Sequence, residues 1–510
     1  LAAQAQRRSL DIQDVGLPAM NVGLSTDTSL VPGSPSRRAS AVVRAALDDV
    51  ARVDAATSVA ARRVIVRFRS EATPAVRAAA IRTVAPRGTI AQRPSYADFD
   101  IVQIDATDDP EAVAAALKDR HADVVENAQA TYRWRTMLKP NDPLYASAQW
   151  NLPYVNLEPA WDIQPAAGSN ITVAVIDSGI AYRSGTIIAN IPGFSLGTLV
   201  YPPLNNVAIP FAAADQLVNA STPNRFVAPY NFIWDNTTPL DFEGHGTHVA
   251  GTIGQITNDN IGPAGVAFNV KLMPVKVIDD GLWDFLLGAP NFGTDDIVAR
   301  GIRYAVDRGA KVLNMSIGRS GPPSFVIEDA IRYAVGRGAF VVVAAGNDYL
   351  EGNPVQVLAE ICSRVNGAIS VAAIDRNRGH ASYSSAGPYV EIAAPGGDDI
   401  TPGFSVAASR IFQQTLDLDF VYTFLRPPSE YGPPRFDVFG YFGGAGTSMA
   451  APHVAGAAAI LMQQGITSPA AIEDALKRTA MDLGAPGRDN FFGAGLVNVR
   501  NAMFGIGAAK

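Results

Sequence analysis

Cysteine is almost missing from this sequence: Cys362 is the one thiol in 510 residues, so neither an intramolecular disulfide nor a multi-cysteine metal centre can form. Charge is scarce too. Acidic and basic residues together make 17% of the chain, and 48 acidic against 41 basic residues leave a formal net charge of -7. Nucleic-acid binding relies on clustered Lys and Arg to displace counterions, so that class of partner is excluded. No run of about 18 uninterrupted apolar residues occurs, which excludes a conventional membrane-spanning helix. Hydrophobic residues, by contrast, reach 48%, enough for a large buried core, and the length implies more than one folded unit. The opening LAAQAQ has the small-residue character of the end of a signal peptide, which gives an expectation of secretion.

Residues 1 to about 60 mix Ala, Arg, Asp and Ser around the breaker cluster VPGSPSRR and are expected to be a mobile leader. From 61 to 137 the pattern changes. VIVRF reads as a strand, TPAVRAAAIRTV as a helix, DFDIVQIDA as a strand, DPEAVAAALKD as a helix and ADVVENA as a strand, a small α+β unit of split βαβ type. KPNDPLYASAQWN then reads as a junction. Beyond it, from 138 to 510, apolar strand-like runs alternate with helices of ordinary length, the signature of a buried, mainly parallel sheet with helices on both faces. Two polar, Pro-rich stretches, Tyr182 to Asp241 and Asp398 to Phe442, are expected to be surface insertions in this α/β domain.

Active groups of open α/β sheets gather at the carboxyl ends of strands and at the helix starts that follow. VAVIDSG ends an apolar strand with Asp177, GHGTHVAGTIG opens a small-residue helix with His245, and GTSMAAPHVAG does the same with Ser448. A serine hydroxyl needs a base to become nucleophilic, histidine is the base suited to neutral pH, and a buried carboxylate can hold the imidazole in one tautomer. Taken singly, Asp177 reads as a turn residue and Ser448 as a helix cap; it is their conjunction that points to catalysis.

With the order Asp, His, Ser along the chain, these stretches resemble the subtilisin family of serine peptidases over about Asn141 to Asn501. The resemblance implies a subtilisin-like α/β fold and hydrolysis of protein or peptide substrates through an acyl-enzyme. By the same likeness Asn347, in VVVAAGND, completes an oxyanion hole with the Ser448 backbone N–H. Ser316, Ile317 and Gly318 with Ala344, Ala345 and Gly346 form the walls of a primary substrate pocket expected to be uncharged and to admit large apolar groups; Gly293 borders a more distant subsite.

The resemblance also makes the 61–137 unit an inhibitory propeptide that templates folding, with cleavage between Met137 and Leu138, so that the chain is expected to be a monomeric, self-processing proenzyme. It further implies structural calcium, held by the Asp142 and Asp259 side chains and the carbonyls of Ile256, Ile261 and Pro263, with one more carboxylate from the first insertion. Asp375 resembles a weaker second cation position. His248 and His453 are read as structural, His121 and His380 as surface residues, and Cys362 as a small buried hydrophobe. The alternative from another class is a catalytically idle relative that binds or inhibits through its groove; the intact Asp177, His245, Ser448 and Asn347 weigh against it. An esterase of the nucleophile-elbow type would need Gly-x-Ser-x-Gly, and Ser448 sits in Gly-Thr-Ser-Met-Ala.

Overall fold

The computed structural model describes residues 59–93, 97–132, 138–196, 198–279 and 282–504. The expected leader up to residue 58 and Met137 lie outside the described residues. Two compact units are present, a small one whose described part ends at 132 and a large one whose described part begins at 138.

In the small unit, β1 (Val59–Phe68), α1 (Pro74–Val84), β2 (Thr89–Gln92), β3 (Asp100–Gln103), α2 (Pro110–Arg120) and β4 (Val125–Tyr132) build an antiparallel sheet in the order β2-β3-β1-β4. Alternation in VIVRF sends Val64, Val66 and Phe68 into a core shared with Ile81, Val102 and Leu117. Both helices start on a capping side chain followed by proline: Thr73 accepts from the Val76 N–H and Asp109 from the Glu111 N–H. The short β2, four residues with polar flanks, is an element that the pattern of the sequence does not announce.

In the large unit three short helices between 143 and 163 lead to β5 (Thr172–Asp177), fully buried along VAVID. A first inserted stretch follows with two antiparallel ribbons, β6 (Gly185–Ile191) against β9 (Leu204–Phe211), and β7 (Phe194–Leu196) against β8 (Leu199–Tyr201). The chain returns through β10 (Tyr230–Asn231) to α3 (His245–Gly254) and β11 (Lys271–Lys276), then α4 (Asp295–Asp307), β12 (Val312–Met315), α5 (Phe325–Gly336), β13 (Phe340–Ala344), β14 (Ala368–Ile374) and β15 (Ile392–Pro395). A hairpin of β16 (Ile411–Leu416) and β17 (Phe439–Gly444) precedes α6 (Thr447–Gln463) and α7 (Pro469–Arg478). The central sheet has seven strands in the order β10-β11-β5-β12-β13-β14-β15, every neighbouring pair parallel. Most of their residues are apolar because a parallel sheet covered by helices leaves no wet face, with Asp177, Lys276, Asn314 and Ser370 among the buried polar exceptions.

α6 crosses β12 to β15 and packs on α3, which explains its composition. Ala450, Ala451, Ala455, Ala457, Ala458 and Ala459 are fully buried, and a Cβ on Gly456 would come within 2.6 Å of Val266 Cγ1. Small side chains here allow close approach of helix and sheet.

The two inserted stretches are not independent surface loops. Phe436 N–H donates to the Pro210 carbonyl at 2.9 Å and Ala212 N–H to the Phe436 carbonyl at 3.1 Å. Ile191, Ile209 and Phe211 from the first, Leu416, Val421 and Phe436 from the second, and Trp283 and Leu286 from the loop after β11 share a core of their own. Trp283 Nε1 donates to the Val421 carbonyl at 3.0 Å, and beneath it Lys276 pairs with Asp284 at 2.9 Å with both side chains fully buried. Three stretches thus form one module, a long-range pairing that leaves no periodic mark in sequence.

Gly456→Val tests the α6 packing. Valine brings a better helix propensity than glycine but must displace Val266, and overpacking of this kind costs about 1–3 kcal/mol. Urea unfolding of the Ser448→Ala chain with and without the substitution is expected to show that loss.

Candidate active site

Asp177 is the last residue of β5 and is completely buried. Its Oδ1 accepts from the Ser178 N–H at 2.8 Å and from His245 Nδ1 at 2.7 Å. A buried carboxylate demands such partners. His245, with 26% of its side chain exposed, begins α3 after Gly244, whose φ of 91° is open to glycine. Nδ1 is committed to Asp177, so the other ring nitrogen faces the cleft.

The start of α3 is secured by a residue that the motif reading passed over. Asp241 accepts from the Glu243, Gly244 and Thr247 N–H groups at 3.1, 2.8 and 2.9 Å and from Thr247 Oγ1 and Ser178 Oγ at 2.5 and 3.1 Å. Its signal was available: an Asp shortly before a helix start, in DFEGHGTH, is a capping pattern. Burial alone would favour a neutral His245. The charge and hydrogen bond of Asp177, then Glu243 and Asp241, outweigh burial and hold His245 up to about 9. Burial instead pushes His248 and His453 down to about 4. His248 Nε2 donates to the Ile411 carbonyl and His453 Nδ1 to the Met449 carbonyl, both structural bonds. His380 is not a plain surface residue; it is half-buried among the rings of Tyr349, Phe491 and Phe492.

Ser448 lies in the first turn of α6, and Pro452 stands four residues on. Proline has no N–H to give to the Ser448 carbonyl. Ser316 Oγ takes that place at 2.8 Å, and in return Ser448 Oγ donates to the Ser316 carbonyl at 2.9 Å. The hydroxyl is thus turned to Ser316 rather than to His245. Asn314 Nδ2 fixes Ser316 from below at 3.0 Å.

Asn347 follows β13, and its Oδ1 accepts from both the N–H and the Oγ1 of Thr447 at 2.9 Å. With Oδ1 so occupied, the amide Nδ2 is left to face a small cavity of about 150 Å³ lined by Ser316, Ile317, Gly318, Ala344, Gly346, Asn347 and Ser448. Ala345 differs from expectation. It is fully buried and its N–H donates to the Val371 carbonyl, so it backs the wall without lining it. Nor is the lining free of charge: Arg319 and Asp348 join it together with the neutral amide of Gln356, whose Nε2 donates to Asp348 Oδ2 at 2.6 Å. Gln356 reaches the cavity because Ser320 and Gln356 pair as an isolated antiparallel bridge, a contact that no local pattern reveals. Gly293 borders a separate cavity of about 90 Å³ with Ile278, Val298, Ile317 and Arg319.

Asp142, 2% exposed, accepts from the Asn258 and Asp259 N–H groups at 2.9 and 3.4 Å. Burial pushes its carboxyl up, and the neighbouring Asp259 adds to that. Gln216, from the first insertion, donates through Nε2 to Asp259 Oδ2 at 3.2 Å, while its buried Oε1 has no hydrogen-bond partner. The insertion therefore brings an amide to this loop, where a carboxylate was expected. Among the described residues no group of three or more His, Cys, Asp or Glu side chains is arranged to hold a metal ion. Asp375 Oδ1 accepts from the Asn377 and Gly379 N–H groups of its own turn.

A parallel sheet that carries an aspartate at a strand end, with histidine and serine at two helix starts, defines a serine hydrolase of α/β type. The subtilase family model matches residues 168–495, and this chain belongs to the subtilase family of subtilisin-like serine endopeptidases. Thermitase from Thermoactinomyces vulgaris is 30% identical over 364 residues, which cover 71% of this chain and 99% of thermitase. An extracellular protease from Xanthomonas campestris pv. campestris is 29% identical over 426 residues, 79% of this chain and 63% of that protein. Among solved structures, a protease from Pseudoalteromonas arctica PAMC 21717 shares 28% identity with a TM-score of 0.52 and covers 73% of this chain and all of that one.

The electrostatics give a direct test. In the Ser448→Ala chain, histidine-ring NMR is expected to show His245 titrating near pH 9, with its proton lost as pH rises through that value, while His248 and His453 stay neutral above about pH 5. Glu243→Gln removes one carboxylate beside the ring and is expected to lower the His245 titration by up to about one unit.

Proposed function

We propose that Ser448, His245, Asp177 and Asn347 carry the peptidase reaction. The observation that carries this reading is the 2.7 Å bond between His245 Nδ1 and the buried Asp177, set at a helix start in the same unit as Ser448. Ser448 Oγ leaves the Ser316 carbonyl and turns to the free nitrogen of His245, which takes its proton as Oγ attacks the scissile carbonyl. Negative charge develops on that oxygen, and the Ser448 N–H at the start of α6 and the Asn347 amide stabilise it. His245 then protonates the leaving amine, and water hydrolyses the ester by the reverse proton path. Since the base must be neutral, activity is expected to rise towards alkaline pH.

The same reading makes the chain a secreted proenzyme whose 61–137 unit is released by its own cut near Leu138. The relative described as extracellular supports the first part. Supporting the second, the Leu138 N–H is held by Asp162 Oδ1 at 2.8 Å, an anchor for the start of a mature chain. Intact mass and N-terminal sequencing after incubation with calcium is expected to show loss of the leader with a new start at or near Leu138, and only where Ser448 is intact. Ser448→Ala is expected to abolish both this cut and labelling by a serine-directed phosphonate. Asn347→Ala is expected to lower kcat by about 10²–10³, the usual effect of removing an oxyanion donor, with little change in KM.

The buried Asp142 carboxylate, the half-buried Asp259 beside it and the orphaned Gln216 oxygen fit a hard cation. Asp142, Asp259 and Gln216 Oε1, with the carbonyls of Ile256, Ile261 and Pro263, would hold calcium, whose charge offsets the repulsion between the two neighbouring carboxylates. A ligand that binds only the folded chain stabilises by about 2.7 kcal/mol at a hundredfold excess over Kd. Chelation of calcium is expected to lower the Tm of the Ser448→Ala chain, and Asp142→Asn to remove that calcium dependence; an unchanged Tm in the parent chain argues against the site.

A further inference from the structure

Two cavities adjoin the catalytic groups and share no lining residue. The smaller, described above, is bounded by Ser448 and Asn347 and receives the acyl side of a substrate. The other, about 450 Å³, is bounded by His245 and by Met449, the residue after Ser448. His245 must hand its proton to the leaving amine, so the segment beyond the scissile bond departs along the cavity that contains the imidazole. Catalysis itself therefore assigns a peptide occupant to this space.

Its far wall comes from the second insertion: Leu416, Asp417, Leu418, Asp419 and Tyr422. Glu243 adds a third carboxylate beside His245. Arg410 is the one Lys or Arg on the wall, and it is spent on Asp399, with Nε and Nη2 donating to the two carboxylate oxygens at 2.6 Å each. Three carboxylates thus line a groove whose apolar members are Leu416, Leu418, Tyr422, Phe442 and Met449 and whose other polar members are His245, His248, Thr415 and Arg410. Arginine and lysine match this pairing, an aliphatic stem for the apolar wall and a cationic head for its acidic rim.

We propose that this cavity selects substrates with a basic side chain, arginine or lysine, just beyond the scissile bond, and that Asp417 and Asp419 of the inserted stretch are the residues that set the preference. The proposal rests on the reading of Ser448 and His245 as nucleophile and base.

Acyl transfer isolates this side of the site. An ester substrate of fixed acyl group forms the acyl-enzyme, and added amino-acid amides compete with water for it. The amine nitrogen bonds to the acyl carbon, the bond to Ser448 Oγ breaks, and the amine proton passes through His245 to Oγ. The ratio of new peptide to free acid depends only on how well the amine is held. Argininamide is expected to partition about tenfold better than leucinamide, the effect of two partly screened charge pairs, and better still than the amide of glutamic acid. In the Asp417→Asn/Asp419→Asn chain that advantage is expected to shrink to about threefold or less. On the unmutated chain, raising salt to about 1 M is expected to shrink it likewise, which needs no variant to fold. Ester hydrolysis with equal partition of argininamide and leucinamide overturns the proposal and leaves the catalytic reading standing. Absence of ester hydrolysis overturns both.

Discussion

The Asp177 carboxylate sits at the carboxyl end of β5, fully buried between β11 and β12, and much of the large unit is arranged to make that tolerable. A buried charge without partners costs several kcal/mol. Here one oxygen takes two hydrogen bonds, from Ser178 and His245, while Oδ2 has none. The half-satisfied carboxylate is retained because it fixes the imidazole, so the fold carries a local cost at the point where function needs a proton acceptor.

From that pair the constraints spread outward along the backbone. His245 begins a helix, and Asp241 accepts four hydrogen bonds from Glu243, Gly244 and Thr247 at its start and a fifth from Ser178 Oγ. Ser448 must begin another, and Pro452 withholds the N–H that would have tied its carbonyl into the helix, which leaves that carbonyl to Ser316. Two helix starts are brought together because α3 and α6 pack on each other, and small residues along both make that packing close.

How much of this was legible follows from where each interaction lives. Five strands of the central sheet, β5 and β11 to β14, were readable because a parallel sheet buried on both faces needs apolar runs, as in ITVAVID and AFVVVAAGN; the two-residue β10, inside the expected first insertion, and the short β15 were not. Asp177, His245 and Ser448 could be singled out because each ends such a run or opens a small-residue helix, whereas Asn347 was singled out through the family resemblance. Asp241 carried a local capping signal that went unused. Gln356 and Gln216 had no such signal: each acts through a contact set by tertiary pairing, to Asp348 in the small cavity and to Asp259 in the loop of Asp142. The strands of the insertions were hidden for the same reason, since a two-stranded ribbon packed on another insertion need not show clean alternation.

That shared packing changes what the insertions are. A polar loop added to a folded enzyme can be lengthened at little cost, because closure entropy grows slowly with length. Stretches that bury Trp283, Phe211, Phe436 and Leu416 in one core cannot vary independently, since removing one leaves apolar surface of the others exposed to water. The module is anchored at Lys276, which lies next to Asp177 in the sheet, and it ends in the wall that faces His245. On that wall Asp417 is fixed, its Oδ1 accepting from the Asp419 N–H at 3.1 Å at the start of the short helix Leu418–Val421, while Asp419 is exposed. On the proposed reading, selectivity on the leaving side and the stability of the inserted core both draw on this packing.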